Sequence, residues 1–145
     1  MKEIFKYSCL IFLHSLAGVY ISTCFAIDLK IQGYEERFIG LGLSFWGIGV
    51  IIGAIFHNLI RKKFNLISTI FLGSLIQLLF SLIFLFDINI YLVALMQLIA
   101  GISNAVNSLT IESFISDKYK KSSGFYISLF WSSAGLGAIT ASLII

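Results

Sequence analysis

Residues 38–60 read FIGLGLSFWGIGVIIGAIFHNLI, with Glu35-Glu36-Arg37 before them and Arg61-Lys62-Lys63 after. No Asp, Glu, Lys or Arg interrupts the run. Crossing about 30 Å of hydrocarbon takes about 20 helical residues at about 1.5 Å of rise each, so this stretch is long enough to span a bilayer. Four more apolar runs lie on either side of it: Tyr7–Ile27, Phe64–Phe86, Tyr91–Phe114 and Gly124–Ile145. Their central parts are equally free of charge, and one charge at mid-helix costs about 2.5–3.5 kcal/mol on insertion scales. A transmembrane β-barrel needs strands of about ten residues with alternating polarity. None of the five runs alternates. The sequence therefore predicts one all-α integral membrane domain, residues 1–145, built from five transmembrane helices.

Composition points the same way. The chain is 59% hydrophobic and 12% charged, with a mean hydropathy of +0.99, whereas soluble domains carry about 25% charged residues. Placement of the basic residues sets the expected orientation. With the N-terminus in the cytoplasm, the inner segments carry Lys2, Lys6, Arg61, Lys62, Lys63, Lys118, Lys120 and Lys121. The outer loops then hold only Lys30 and Arg37, beside Asp28, Glu35, Glu36 and Asp87. All these loops are short, the case in which the positive-inside rule applies. The expectation is a multi-pass protein of the inner (cell) membrane with a cytoplasmic N-terminus. Because topology accounts for the basic residues, the net charge of +3 is not read as a nucleic-acid signal, and no nucleic-acid partner is expected. Lys2 and Lys6 ahead of an apolar run also fit a cleavable leader, but the run is longer than a usual leader core and lacks a clean A-x-A site.

Small residues suggest how the helices pack, since close approach through Gly, Ala and Ser replaces the hydrophobic drive that lipid removes. In the second run, steps of seven and four residues keep Gly42, Gly49 and Gly53 near one face. In the fifth, Ser133, Gly137 and Ala141 stand beside Ala134, Ala138 and Ser142. Proline is absent, so any kink would come from Gly or Ser clusters. Cys9 and Cys24 are about 22 Å apart along one helix, well beyond disulfide reach, and read as packing residues.

Polar residues inside spans point to function, because lipid tolerates them poorly. In the fourth run Gln97, Gly101, Asn104, Ser108 and Glu112 recur every three or four residues and fall within an arc of roughly 80°. In the first run Tyr7, His14 and Gly18 share a face, with Ser15 and Ser22 at its margin. Two readings fit these stripes: the lining of a water-accessible cavity, or hydrogen bonding between helices worth about 0.6 kcal/mol each. The weaker stripe Ser74, Gln77 and Ser81 in the third run reads as packing. His14 fits either a proton carrier or substrate ligand, or a packing residue. Glu112, near the cytoplasmic end of its run, is placed to meet Arg61–Lys63, to be solvated, or to pair with Lys118.

The segment Gly53-Ala-Ile-Phe-His57-Asn58-Leu-Ile60-Arg61-Lys62 resembles the signature between helices two and three of the major facilitator superfamily. That signature has Gly, three residues, Asp, a basic residue, one residue, Gly and two basic residues. Gly53, Arg61 and Lys62 match it, while His57, Asn58 and Ile60 stand in place of the Asp, the basic residue and the second Gly. Gln97-Leu-Ile-Ala-Gly101 is similar to the family's Arg-xxx-Gly element, with Gln for Arg. Glu112-Ser113-Phe114 ahead of a basic loop is similar to bacterial members bearing Glu-Ser-Trp there.

The resemblance covers nearly all of this chain and the first five of the family's usual twelve helices. It implies a secondary transporter of a small solute, working by alternating access between two six-helix halves that each contain inverted three-helix repeats. Helices one and four are equivalent in such repeats, the two that carry the polar stripes here. The substrate-cavity candidates are thus His14, Gly18, Gln97, Asn104 and Ser108. The cytoplasmic gating-loop candidates are Gly53, Arg61, Lys62 and Glu112. The fifth run lacks the Gly-Pro of the family's antiporter signature, so no antiport is implied. Five helices fall one short of a half. The expectation is therefore a fragment or truncated remnant missing its C-terminal half, or a small assembly or accessory subunit that works with a partner membrane chain. An enzyme is not expected. No His/Glu/Asp pair at metal spacing and no Ser, Cys or Thr nucleophile with an identifiable base occurs, and neither cofactor nor metal is called for.

Overall fold

The computed structural model describes residues 2–82 and 89–144. Within them lie five helices: α1 (Lys2–Ile31), α2 (Glu36–Lys63), α3 (Leu66–Leu82), α4 (Ile90–Lys118) and α5 (Ser123–Ile144). Four of these, α1, α2, α4 and α5, are long and apolar enough to cross a membrane. α3 has 17 described residues, about 25 Å of helix. The expected end of its span at Phe86 lies outside the described residues. Its start is also corrected, from Phe64 to Leu66. Phe64 is extended (φ −122°, ψ 142°), and the Asn65 side chain accepts the Ser68 N–H at 2.8 Å, so these two residues form the turn and N-cap.

Helix ends are specified locally. Asn89 caps α4 by accepting the Leu92 N–H at 2.9 Å. α1 closes on Gly33, whose φ of +89° suits a residue without Cβ. There the Tyr34 N–H donates to the Leu29 carbonyl and the Gly33 N–H to that of Lys30, the paired bonds of a Schellman cap. α1, α2 and α4 run beyond the expected apolar limits and take in Lys2–Lys6, Arg61–Lys63 and Lys118. Their polar ends thus extend a turn or so past the hydrocarbon-length core.

Two compact units divide the chain: residues 25–110, and residues 1–24 together with 111–145. The first holds α2, α3, most of α4 and the end of α1. In it, Gly42 faces Ile90, Gly49 faces Leu98 and Gly101, and Gly53 faces Ile102 and Ala105. Residue numbers rise together along the two helices, so α2 and α4 are parallel. A Cβ on Gly49 would fall on the Leu98 carbonyl oxygen, and one on Gly53 would lie 2.6 Å from the Ile102 oxygen. The glycine face expected from the sequence is therefore a backbone-to-backbone seam. α3 meets α4 at Gly73, whose carbonyl accepts the Ser103 hydroxyl at 2.6 Å.

The other unit joins the start of α1, the end of α4 and α5. Lys118 is paired with Glu3, and Tyr7 packs edge-on against Phe114 at 5.6 Å between centroids. Numbers rise in one partner as they fall in the other, so α1 and the end of α4 are antiparallel. α5 starts at that same end and runs parallel to α1, with Gly137 against the Phe12 carbonyl and the Leu16 backbone. Phe130, Ala134, Gly137 and Ala141 are its buried face. Large apolar side chains elsewhere point outward, among them Ile51, Ile55, Phe71 and Leu143, as expected where lipid is the solvent.

Candidate functional site

The candidate residues fall in both units, and each set is described in its own frame. In the unit of α1 and α5, His14 and Gly18 are half-buried. No heavy atom lies within 4 Å of where a Gly18 Cβ would sit, so Gly18 is not there to admit a neighbouring backbone. Ser8, two turns earlier on α1, is buried with no hydrogen-bond partner for its hydroxyl.

Glu112 is half-buried and accepts the Trp131 indole N–H at 2.5 Å. Its tie within this unit is thus to α5. Lys118, the local partner considered from the sequence, is taken by Glu3. That ion pair lies outside the apolar runs 7–27 and 91–114. The Lys118 hydrogen bond holds the Glu3 carboxyl below its ordinary range, and Glu3 holds the Lys118 ammonium above its own.

In the other unit the polar stripe of α4 divides. Gly101 packs on the Trp46 carbonyl and on Gly49 and is a seam residue. Gln97 and Ser108 are buried, at 5% and 3% exposure, and the Ser108 hydroxyl has no hydrogen-bond partner. Asn104 alone of the stripe in this unit keeps a half-exposed polar side chain. Gly53, a gating-loop candidate, is buried in the seam with α4. Arg61 and Lys62 are exposed in the last turn of α2. His57, at the family's Asp position, is buried at 6% exposure. Among the described residues no three His, Cys, Asp or Glu side chains cluster to hold a metal.

Several polar residues of note escaped the sequence reading. Ser103 and Asn107 are buried and lie next to the stripe rather than on it. Their four-residue step was the available signal. Trp131 as the partner of Glu112 had none, beyond the general need of an indole N–H for an acceptor.

Comparison with known proteins identifies no relative: no protein family, curated protein or solved structure matches this chain.

Proposed function

We propose that this chain is the five-helix N-terminal part of a major facilitator-type secondary transporter for a small solute, set in the inner membrane with its N-terminus in the cytoplasm. One observation carries the reading. An inverted three-helix repeat exchanges α1 with α4 and α2 with α5, so a contact of α2 on α4 must return as a contact of α5 on α1. Gly49 of α2 sits on the Leu98 carbonyl of α4, and Gly137 of α5 sits on the Phe12 carbonyl of α1. Both pairs are parallel. Gly49 and Gly137 lie within one residue of the same distance from their helix starts, and Leu98 and Phe12 within two. The next turn also corresponds, with Gly53 and Ala141 both buried.

On this reading His14, Gly18, Gln97, Asn104 and Ser108 line the solute cavity. Gly53, Arg61, Lys62 and Glu112 serve the cytoplasmic gate. Grouping of the basic residues at alternate helix ends supports the orientation.

A second reading, an assembly or accessory subunit without transport of its own, is favoured by small-residue faces left uncovered. Gly40, Gly47 and Gly135 have nothing within 4 Å of where a Cβ would be, and Ser44, Ala54 and Ser132 beside them are exposed. Partner helices approach through such surfaces.

The chain purified from its native membrane together with whatever membrane segment or chain accompanies it, placed in proteoliposomes and offered a panel of radiolabelled sugars, amino acids and carboxylates, separates the two. Transport predicts uptake above empty liposomes that Asn104→Leu abolishes without reducing membrane insertion. Uptake unchanged by Asn104→Leu removes the cavity assignment. Uptake of nothing in the panel favours the accessory subunit.

A further inference from the structure

In the unit formed by the start of α1, the end of α4 and α5, one end is rich in lysine. Lys6 of α1, Lys118 of α4, and Lys120 and Lys121 in the link to α5 share it with two carboxylates, Glu3 and Asp117. Glu3 is bonded to Lys118 and also feels the charge of Lys6. Asp117 is engaged as well. Lys120 and Lys121 are exposed, and neither has an ion-pair partner among the described residues.

Backbone bonds hold these two lysines in place. The Ser122 N–H donates to the Tyr119 carbonyl at 2.9 Å, and the Tyr126 N–H to the Ser122 carbonyl at 3.3 Å. The first bond closes a four-residue turn with Lys120 and Lys121 at its two central positions. Beneath it the Tyr119 and Tyr126 rings meet at 4.7 Å between centroids, which ties the turn to the first turn of α5. Positive-inside topology asks only that lysines gather on one side of the membrane. Here two are pinned together in a closed turn, so little order is left to be lost when an anion meets both.

Neighbouring side chains set the class of partner. Phe125, packed edge-on against Tyr126 at 5.5 Å, is 68% exposed, and Phe5 at the same end of the unit is 71% exposed. A partner at this place meets ammonium groups and bare aromatic rings together. Anionic phospholipid answers both, with phosphate oxygens for the lysine N–H donors and hydrocarbon for the rings. An acidic soluble segment answers only the first.

We propose that the Lys120–Lys121 turn binds the phosphate of an anionic phospholipid whose acyl chains lie against Phe125. The inference goes beyond the transport reading and depends neither on it nor on the orientation of the chain, since each leaflet presents phosphate at its surface.

The full chain, captured from detergent micelles holding equal phosphatidylglycerol and phosphatidylcholine, tests the site by the lipid it retains. One lysine at a membrane surface is worth about a fivefold preference for anionic lipid. Retention of phosphatidylglycerol over phosphatidylcholine by at least about fivefold is therefore expected, and it should fall as salt is raised. Equal retention overturns the proposal. Both positions are exposed, so Lys120→Gln/Lys121→Gln should keep the far-UV circular dichroism and lose the preference, while Lys120→Arg/Lys121→Arg keeps both. A preference that survives the glutamine pair overturns the proposal, as does one lost with the arginine pair. Inorganic phosphate added at constant ionic strength is expected to leave the lipid bound; displacement by it would assign the turn to a free anion and overturn the lipid site.

Discussion

Replacing Gly49 by alanine adds one methyl group inside the α2–α4 seam, and the structure sets what it must displace. An ideal Cβ there lies 3.0 Å from the Gly101 Cα and falls on the Leu98 carbonyl oxygen. Carbon atoms rest at about 3.5–4.0 Å, so the Gly101 contact alone parts the helices by roughly 0.5–1 Å, and the nearer Leu98 oxygen demands at least as much. Neither neighbour is a side-chain end that can swing aside, because both are backbone. A gap of about 0.5–1 Å forfeits a quarter to a half of the dispersion well for the atoms it separates, and it does so along the seam from Gly42 to Gly53. Overpacking of this kind costs about 1–3 kcal/mol.

Gly47→Ala is the internal control. It lies on the same helix with nothing within 4 Å of its Cβ position, so it shares any gain in helix propensity without the clash. SDS titration of both variants in micelles, monitored by far-UV circular dichroism, should place Gly49→Ala about 1–3 kcal/mol below Gly47→Ala. Equal stabilities would refute the seam as drawn. The same contrast on α5, where a Cβ on Gly137 would meet the Phe12 carbonyl and one on Gly135 nothing within 4 Å, predicts Gly137→Ala below Gly135→Ala.

Single contacts give further expected outcomes. Ser103→Ala, which removes the bond to the Gly73 carbonyl, should cost about 0.6 kcal/mol in the same titration. A double-mutant cycle of Trp131→Phe with Glu112→Leu, each of which removes one partner of the bond, should give a coupling of about 1 kcal/mol, below the usual range for a charged acceptor because both side chains are partly exposed; zero coupling would remove the α4–α5 tie. The Glu3 carboxyl is held below its ordinary range by Lys118, so its contribution is present above the unfolded carboxylate pKa and lost as pH falls through the lower folded value. The acid-side loss of stability should accordingly shrink in Glu3→Gln, and an unchanged pH profile would refute the link. A protease site ahead of Lys2 should be cut in inverted membrane vesicles and protected in right-side-out ones, and the reverse pattern would overturn the orientation.

The sequence was most informative where one physical rule acts along one helix. The glycine faces of α2 and α5 were legible because a small residue every four or seven positions has few uses in a bilayer other than close approach. Run lengths located four full spans. α3 was seen as apolar but begun two residues early, since Phe64 is as hydrophobic as the helix it precedes and Asn65 caps only once the turn exists. The polar stripe of α4 was legible as a face but not as a set of partners. Periodicity cannot tell that Gly101 faces Trp46 and Gly49 while Asn104 keeps an accessible amide. Nor can it tell that Asn107, a neighbour of the stripe, lies over Gly73. Partners on other helices depend on register and rotation between helices, which no single helix encodes, and for the same reason the Trp131–Glu112 bond was not foreseen.

The central proposal, that the polar face of α4 is open to water, is tested most directly at the side chain at position 104. With Cys9 and Cys24 replaced by serine, Asn104→Cys in membrane vesicles should react with a charged, membrane-impermeant thiol reagent at least about tenfold faster than Ile51→Cys on the outward apolar face of α2, since only a thiol in contact with water ionises to the reactive thiolate. Reaction no faster than at position 51 would contradict a cavity and leave the stripe as helix packing.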